Sequence, residues 1–169
     1  MRKQINSIFV YLFFIACWIF FFYFYPYHLH YKEQITLCVL QPDFLQTYLQ
    51  KPAFLTEICG DYLTQFFLWT GGGSSILTLT FVFTWLGLRI ALRKTGITSH
   101  VSLWALLPIV AEWALSCHLE YPLSMSLGLM CSVWAFSLST LSTSTHTRGI
   151  LHVVMLIILY CAVGAHFFA

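Results

Sequence analysis

Charge is what this sequence has least of. Only 8% of its 169 residues are Asp, Glu, Lys or Arg, against roughly 25% in soluble domains. A water-soluble fold of this length needs a polar shell, and so few charges cannot make one. Eight Lys and Arg against six Asp and Glu leave a net charge of +2. No basic stripe exists to neutralise phosphates, which excludes nucleic acid as a partner. Metal motifs are also missing: there is no Cys-x-x-Cys and no His-Glu-x-x-His, so neither a metal nor a cofactor is expected. No Ser-His-Asp or Cys-His arrangement stands out, and no internal repeat is visible. A single membrane domain over residues 1–169 is the expectation.

What the chain has in abundance is hydrocarbon, at 59% hydrophobic residues. A membrane-crossing helix takes about 20 mostly apolar residues. Stretches of that kind run from Ile8 to Tyr25, Ser75 to Ala91, Val101 to Cys117, Leu123 to Leu141 and Ile150 to Phe168. Each is bounded by charge, proline or a polar cluster. The first begins after Met1-Arg2-Lys3 like a signal peptide, but its apolar run is too long and no small-x-small cleavage site follows. It reads as a retained anchor. The fold class is therefore all-α: an integral membrane bundle of about five transmembrane helices, with interfacial helices in a long first external loop.

Basic residues near short loops set orientation. With the N-terminus in the cytoplasm, Arg2, Lys3, Arg89, Arg93, Lys94 and Arg148 lie inside, and only Lys32 and Lys51 lie outside. That bias predicts a cytoplasmic N-terminus and an external C-terminus in a bacterial inner membrane.

The stretch 26–74 is the one long connection. Pro42-Asp43 opens an expected short helix with Phe44, Leu45, Tyr48 and Leu49 on one face. From Phe54 the apolar pattern Leu55, Ile58, Tyr62, Leu63, Phe66, Phe67 predicts a second, with Glu57, Asp61 and Gln65 on its other face. Such segments lie in the interfacial plane, polar side toward water or a ligand. Gly71-Gly72-Gly73 reads as the hinge into the second span.

Few residues are candidates for chemistry. Glu112 lies about 8 Å below the outer end of its span at helical rise. Carboxyls at such depth usually face a bundle interior or a wet cavity. It reads either as a proton-handling or substrate-binding group or as a carboxyl hydrogen-bonded to Ser or Thr of a neighbouring helix, with Trp113 and His118 as neighbours. The segment Tyr27-His28-Leu29-His30-Tyr31-Lys32-Glu33-Gln34 is a dense polar patch at the membrane surface, suited to interfacial anchoring. Within it, and on the later helix, Glu33 and Asp61 are the catalytic candidates, as base or cation ligand at the water–lipid boundary. His30, Glu57, Gln65 and Glu112 are the binding candidates. Cys38 and Cys59, both external, can pair in an oxidising compartment if they approach closely enough.

The segment 28–34, followed by Asp61-Tyr62-Leu63-Thr64-Gln65-Phe66-Phe67 and the glycine hinge, resembles the N-terminal part of an uncharacterised family of multi-pass Gram-negative bacterial membrane proteins. The resemblance covers mainly residues 8–94 and rests on Tyr31, Glu33, Gln34, Gln65, Phe66 and Phe67. It implies a membrane half followed by a soluble half with tetratricopeptide-like repeats, and no activity. This chain ends at Ala169 directly after a span, like a shortened member or the front piece of a longer protein. A second, architectural likeness is to multi-pass glycosyltransferases that use lipid-phosphate sugars, without their paired-acid signature.

Three readings follow. The first is a structural or interaction module of the bacterial envelope, with the bilayer and other membrane subunits as partners. The alternative is a small membrane enzyme, or a fragment of one, acting externally on a lipid-linked glycosyl substrate. The third is a transporter subunit using Glu112. Whether any reaction is catalysed stays open at this level.

Overall fold

The structure is a computed structural model that describes residues 2–36, 46, 48–50, 53–97, 100–140 and 145–164. It is all-α, with no strand among the described residues. Helix α1 (Arg2–Ile19) passes into a π-helical turn, Phe20–Phe24, and then α2 (Pro26–Ile35). After these come α3 (Phe54–Thr64) with a 3₁₀ turn at Gln65–Leu68, α4 (Gly72–Lys94), the single-turn α5 (Val101–Trp104), α6 (Leu106–Ser116), α7 (Leu123–Ser139) and α8 (Thr145–Val163).

Proline explains two breaks in the first and third apolar stretches. Pro26 has no N–H to return to the Phe22 carbonyl, so the α-ladder cannot continue. The chain instead loosens into the π turn and bends by 75° between Ile8–Phe24 and Pro26–Ile35. Pro108 likewise leaves the Trp104 carbonyl without its usual partner, and α5 and α6 meet at a turn residue, Ala105. The expected unbroken helices over 8–25 and 101–117 are thus each divided.

The glycine triplet is only partly a hinge. Gly71 takes a left-handed φ of 84° and caps α4, a conformation that costs glycine little. Gly72 and Gly73 already belong to the helix, which starts earlier and ends later than expected. Nor does one helix run from Phe54 to Phe67, since the last turn tightens to 3₁₀ at Gln65. The helix expected from Pro42 falls mostly outside the described residues, as does Cys38. So do the ends of the spans at Leu141 and Phe168.

Helix α4 is the central element. Its Phe81 and Trp85 pack against α1 and the π turn, where Phe14 meets Trp85 edge-on at 5.8 Å and Phe21 lies 6.3 Å from Phe81. Trp18 donates from Nε1 to Ser75 Oγ across the same interface, at 3.1 Å. Against α7, close approach is possible because Gly87 has no side chain. A methyl group there would sit 2.8 Å from Val133 Cγ1, and Ser137 Oγ donates to the Gly87 carbonyl at 2.7 Å. Among the described residues, α4 is long and apolar enough to cross a bilayer, and the bent pair α1–α2 is too if it counts as one span. Val101–Ser116 and Leu123–Ser139 are apolar but shorter. A bundle of five spans is therefore more than the helix lengths establish.

Candidate ligand site

The polar groups of the bundle gather where α2 crosses the C-terminal end of α6. A helix C-terminus leaves its last carbonyls unpaired and carries partial negative charge. Lys32, one turn from the end of α2, meets that need. Its Nζ donates to the Ser116 carbonyl at 2.9 Å and to the Tyr121 carbonyl at 3.0 Å. Tyr25 adds its hydroxyl to the Cys117 carbonyl at 3.4 Å. Burial pushes the Lys32 ammonium down to about 8, because no ion pair compensates its partial loss of water. His28, beside it, is lowered by burial first and by Lys32 second, and its Nε2 is buried without a partner.

Glu112 lies one turn before Ser116 on the same face of α6, and is only 4% exposed. It accepts from the Tyr121 hydroxyl on both oxygens, at 3.0 and 3.1 Å, and from Ser126 Oγ on α7. A buried carboxyl is tolerable when donors surround it, and these two hydroxyls supply them. The carboxyl and burial together push the Tyr121 phenol well above its ordinary range, burial being the larger cause. The partners are thus a serine of the neighbouring helix and a tyrosine of the α6–α7 turn. Trp113 is not among them: its Nε1 is buried and unpartnered.

Between these groups lies a cavity of about 210 Å³. Lys32, Ser116, Thr36, Thr64 and Ser126 supply its polar wall, and Ile35, Phe67, Leu77, Leu119 and Leu123 its apolar one. Ser116 is 1% exposed and its Oγ has no hydrogen-bond partner. That is unusual for a helical hydroxyl here. Thr64, Thr78, Thr80, Thr84 and Ser137 each donate to the carbonyl four residues back, at 2.7–2.9 Å.

The other candidates are scattered. Glu33 is half-buried on α2 but does not line the cavity. Asp61, on α3, accepts from the Tyr48 hydroxyl at 2.6 Å. Gln65 donates to the Thr36 carbonyl at 2.6 Å, tying the 3₁₀ turn to α2. His30 borders a separate, smaller cleft with Trp69 and Gly71, and Glu57 is half-buried on α3. Glu33 and Asp61 therefore sit on different helices, and neither lines this cavity. No cluster of three or more metal-ligating side chains occurs among the described residues. Sequence reasoning passed over Ser116 and Tyr121, and took Lys32 only as surface anchoring. The available signal was the four-residue spacing of Glu112 and Ser116, which puts both on one face.

Fold and site define an all-α bundle whose carboxyl, ammonium and hydroxyl groups are turned inward at one end. The chain belongs to a family of unknown function, DUF6057, which matches it over residues 1–169. No curated protein and no solved structure matches it.

Proposed function

We propose that this chain is a multi-pass integral protein of a bacterial inner membrane, serving as a structural or interaction module of the envelope. Its N-terminus is cytoplasmic and its C-terminus external. The supporting observation is the inversion of polarity between surface and interior. Exposed positions include Ile8, Leu12, Ile15 and Ile19 on α1, Leu79 and Phe83 on α4, Leu107 and Val110 on α6, and Val153, Leu156, Ile157 and Tyr160 on α8. Buried positions include Thr80, Thr84, Glu112, Ser126, Ser137 and Ser139. Water would reward the opposite arrangement. Lipid rewards this one, with hydroxyls and small residues between helices and hydrocarbon outside.

On this reading α1, α4, α5–α6, α7 and α8 are the five crossings. The pairs α5–α6 and α7, at about 24 and 26 Å of helical rise, cross where the bilayer thins toward them. Helix α2, after its bend, and helix α3 lie at the outer interface. In longer members of the family a tetratricopeptide-like half would follow the bundle. The test is extraction: the expressed chain should stay with membranes through alkaline carbonate washing and leave them only in detergent. Release by carbonate alone overturns the proposal.

A further inference from the structure

We infer that the cavity between α2, α4 and the α6–α7 turn binds the carboxylate end of an aliphatic acid, with Lys32 and Ser116 as its two donors. The site stands on the membrane reading above, which places it at the level where fatty-acid head groups lie.

The inference comes from counting what is already spent. An ammonium has three N–H donors, and Lys32 uses two on the Ser116 and Tyr121 carbonyls. Its charge has no ion-pair partner among the described residues, although a half-buried lysine usually has one. The other hydroxyls around the cavity are committed. Thr36 donates to the Lys32 carbonyl, Thr64 to the Gly60 carbonyl and Ser126 to Glu112. Only Ser116 Oγ, buried and unpartnered, is left. Two free donors beside one positive charge match the two oxygens of a carboxylate. A phosphate would leave peripheral oxygens buried without donors, at a cost.

The rest of the wall sets the tail. Phe67, Leu77, Leu119 and Leu123 offer only hydrocarbon, so the ligand is an amphiphile. At about 210 Å³ the cavity exceeds the ~150 Å³ that accepts a benzene ring, enough for the head and a short run of methylenes. A longer chain would continue past Ile35 into lipid. Two acids stand near the site: Glu120, exposed at the rim where water weakens its repulsion of an anion, and Glu112, whose oxygens accept from the Tyr121 and Ser126 hydroxyls.

The test measures equilibrium binding of carboxyl-labelled decanoate to the full chain in nanodiscs of zwitterionic lipid, with empty nanodiscs as background. Saturable binding above background is expected. Lys32→Met should weaken it about tenfold or more and Ser116→Ala about threefold. Acetate, decanol and decyl phosphate should each compete more weakly than decanoate. Because Lys32→Met also removes a helix cap, circular dichroism and thermal unfolding must show each variant folded. Leu77→Phe, which fills the cavity and touches neither donor, should block binding independently. Failure of the chain to enter nanodiscs counts against the membrane reading. Failure of incorporated, folded protein to bind decanoate overturns the site alone. So does unchanged affinity in both donor variants, or tighter binding of decyl phosphate.

Discussion

Glu112 shows how a carboxyl is kept inside a bundle without a counter-ion: Tyr121 and Ser126 point their hydroxyls at it. Glu112→Ala would leave both hydroxyls buried without their acceptor, and should lower unfolding stability by about 2 kcal/mol or more in detergent. Glu112→Gln keeps one acceptor oxygen and should cost clearly less, as denaturant titration of the two variants would show. Lys32 makes a prediction of opposite character. Its ammonium is held near 8 in the fold, against an ordinary 10.5. Below about pH 8 it is charged in both folded and unfolded chains, and the burial penalty is fully present. Between about 8 and 10.5 the unfolded chain binds more protons, so stability should rise with pH. His28 and Cys117 face the same group electrostatically, His118 faces His28, and Tyr121 and Glu120 stand beside Lys32 on the turn. Lys32→Met isolates its share. From pH 7 to 10 the wild type should gain melting temperature relative to the variant, whatever the trend common to both.

At the scale of elements, what the sequence could tell was whatever depends on neighbours along the chain. Apolar runs placed α1, α4, α7 and α8, with Tyr25 as the end of the first, and helical spacing from Phe54 placed α3. The break at Ala105 had a sequence cause that the count of apolar residues passed over, Pro108; the one at Gln65 was not legible, because it turns on which carbonyl finds a donor rather than on apolar content. The site was still less legible. Glu112 stands out alone, but Lys32 reaches Ser116 and Tyr121 across 84 and 89 residues of chain, and no local pattern encodes that meeting. The α4–α7 interface is equally non-local and yields its own prediction. Gly87→Ala forces a methyl against Val133 and should cost about 1–3 kcal/mol, the usual range for overpacking. Val133→Ala in that background should recover part of the loss. Additive losses in the double variant would show that the two helices do not meet there.

For the whole molecule, the decisive question is which side of a membrane each end of the bundle faces. The cationic end of α4, with Arg89, Arg93 and Lys94, lies far along the helix from Leu77 at the cavity, while Cys59 is exposed on α3, whose Thr64 lines that cavity. Positive charge near short loops is retained in the cytoplasm, so the cavity should open to the outside. A variant retaining Cys59 as its sole cysteine should react in intact cells with a maleimide that cannot cross membranes. One whose sole cysteine comes from Arg93→Cys should react only after the membrane is opened. The reversed pattern would keep the bundle and invert its orientation, moving the cavity to the cytoplasmic leaflet. Equal labelling of both positions in intact cells would mean that no bilayer separates the ends, and the exposed hydrocarbon of α1 and α8 would then need a protein partner to cover it.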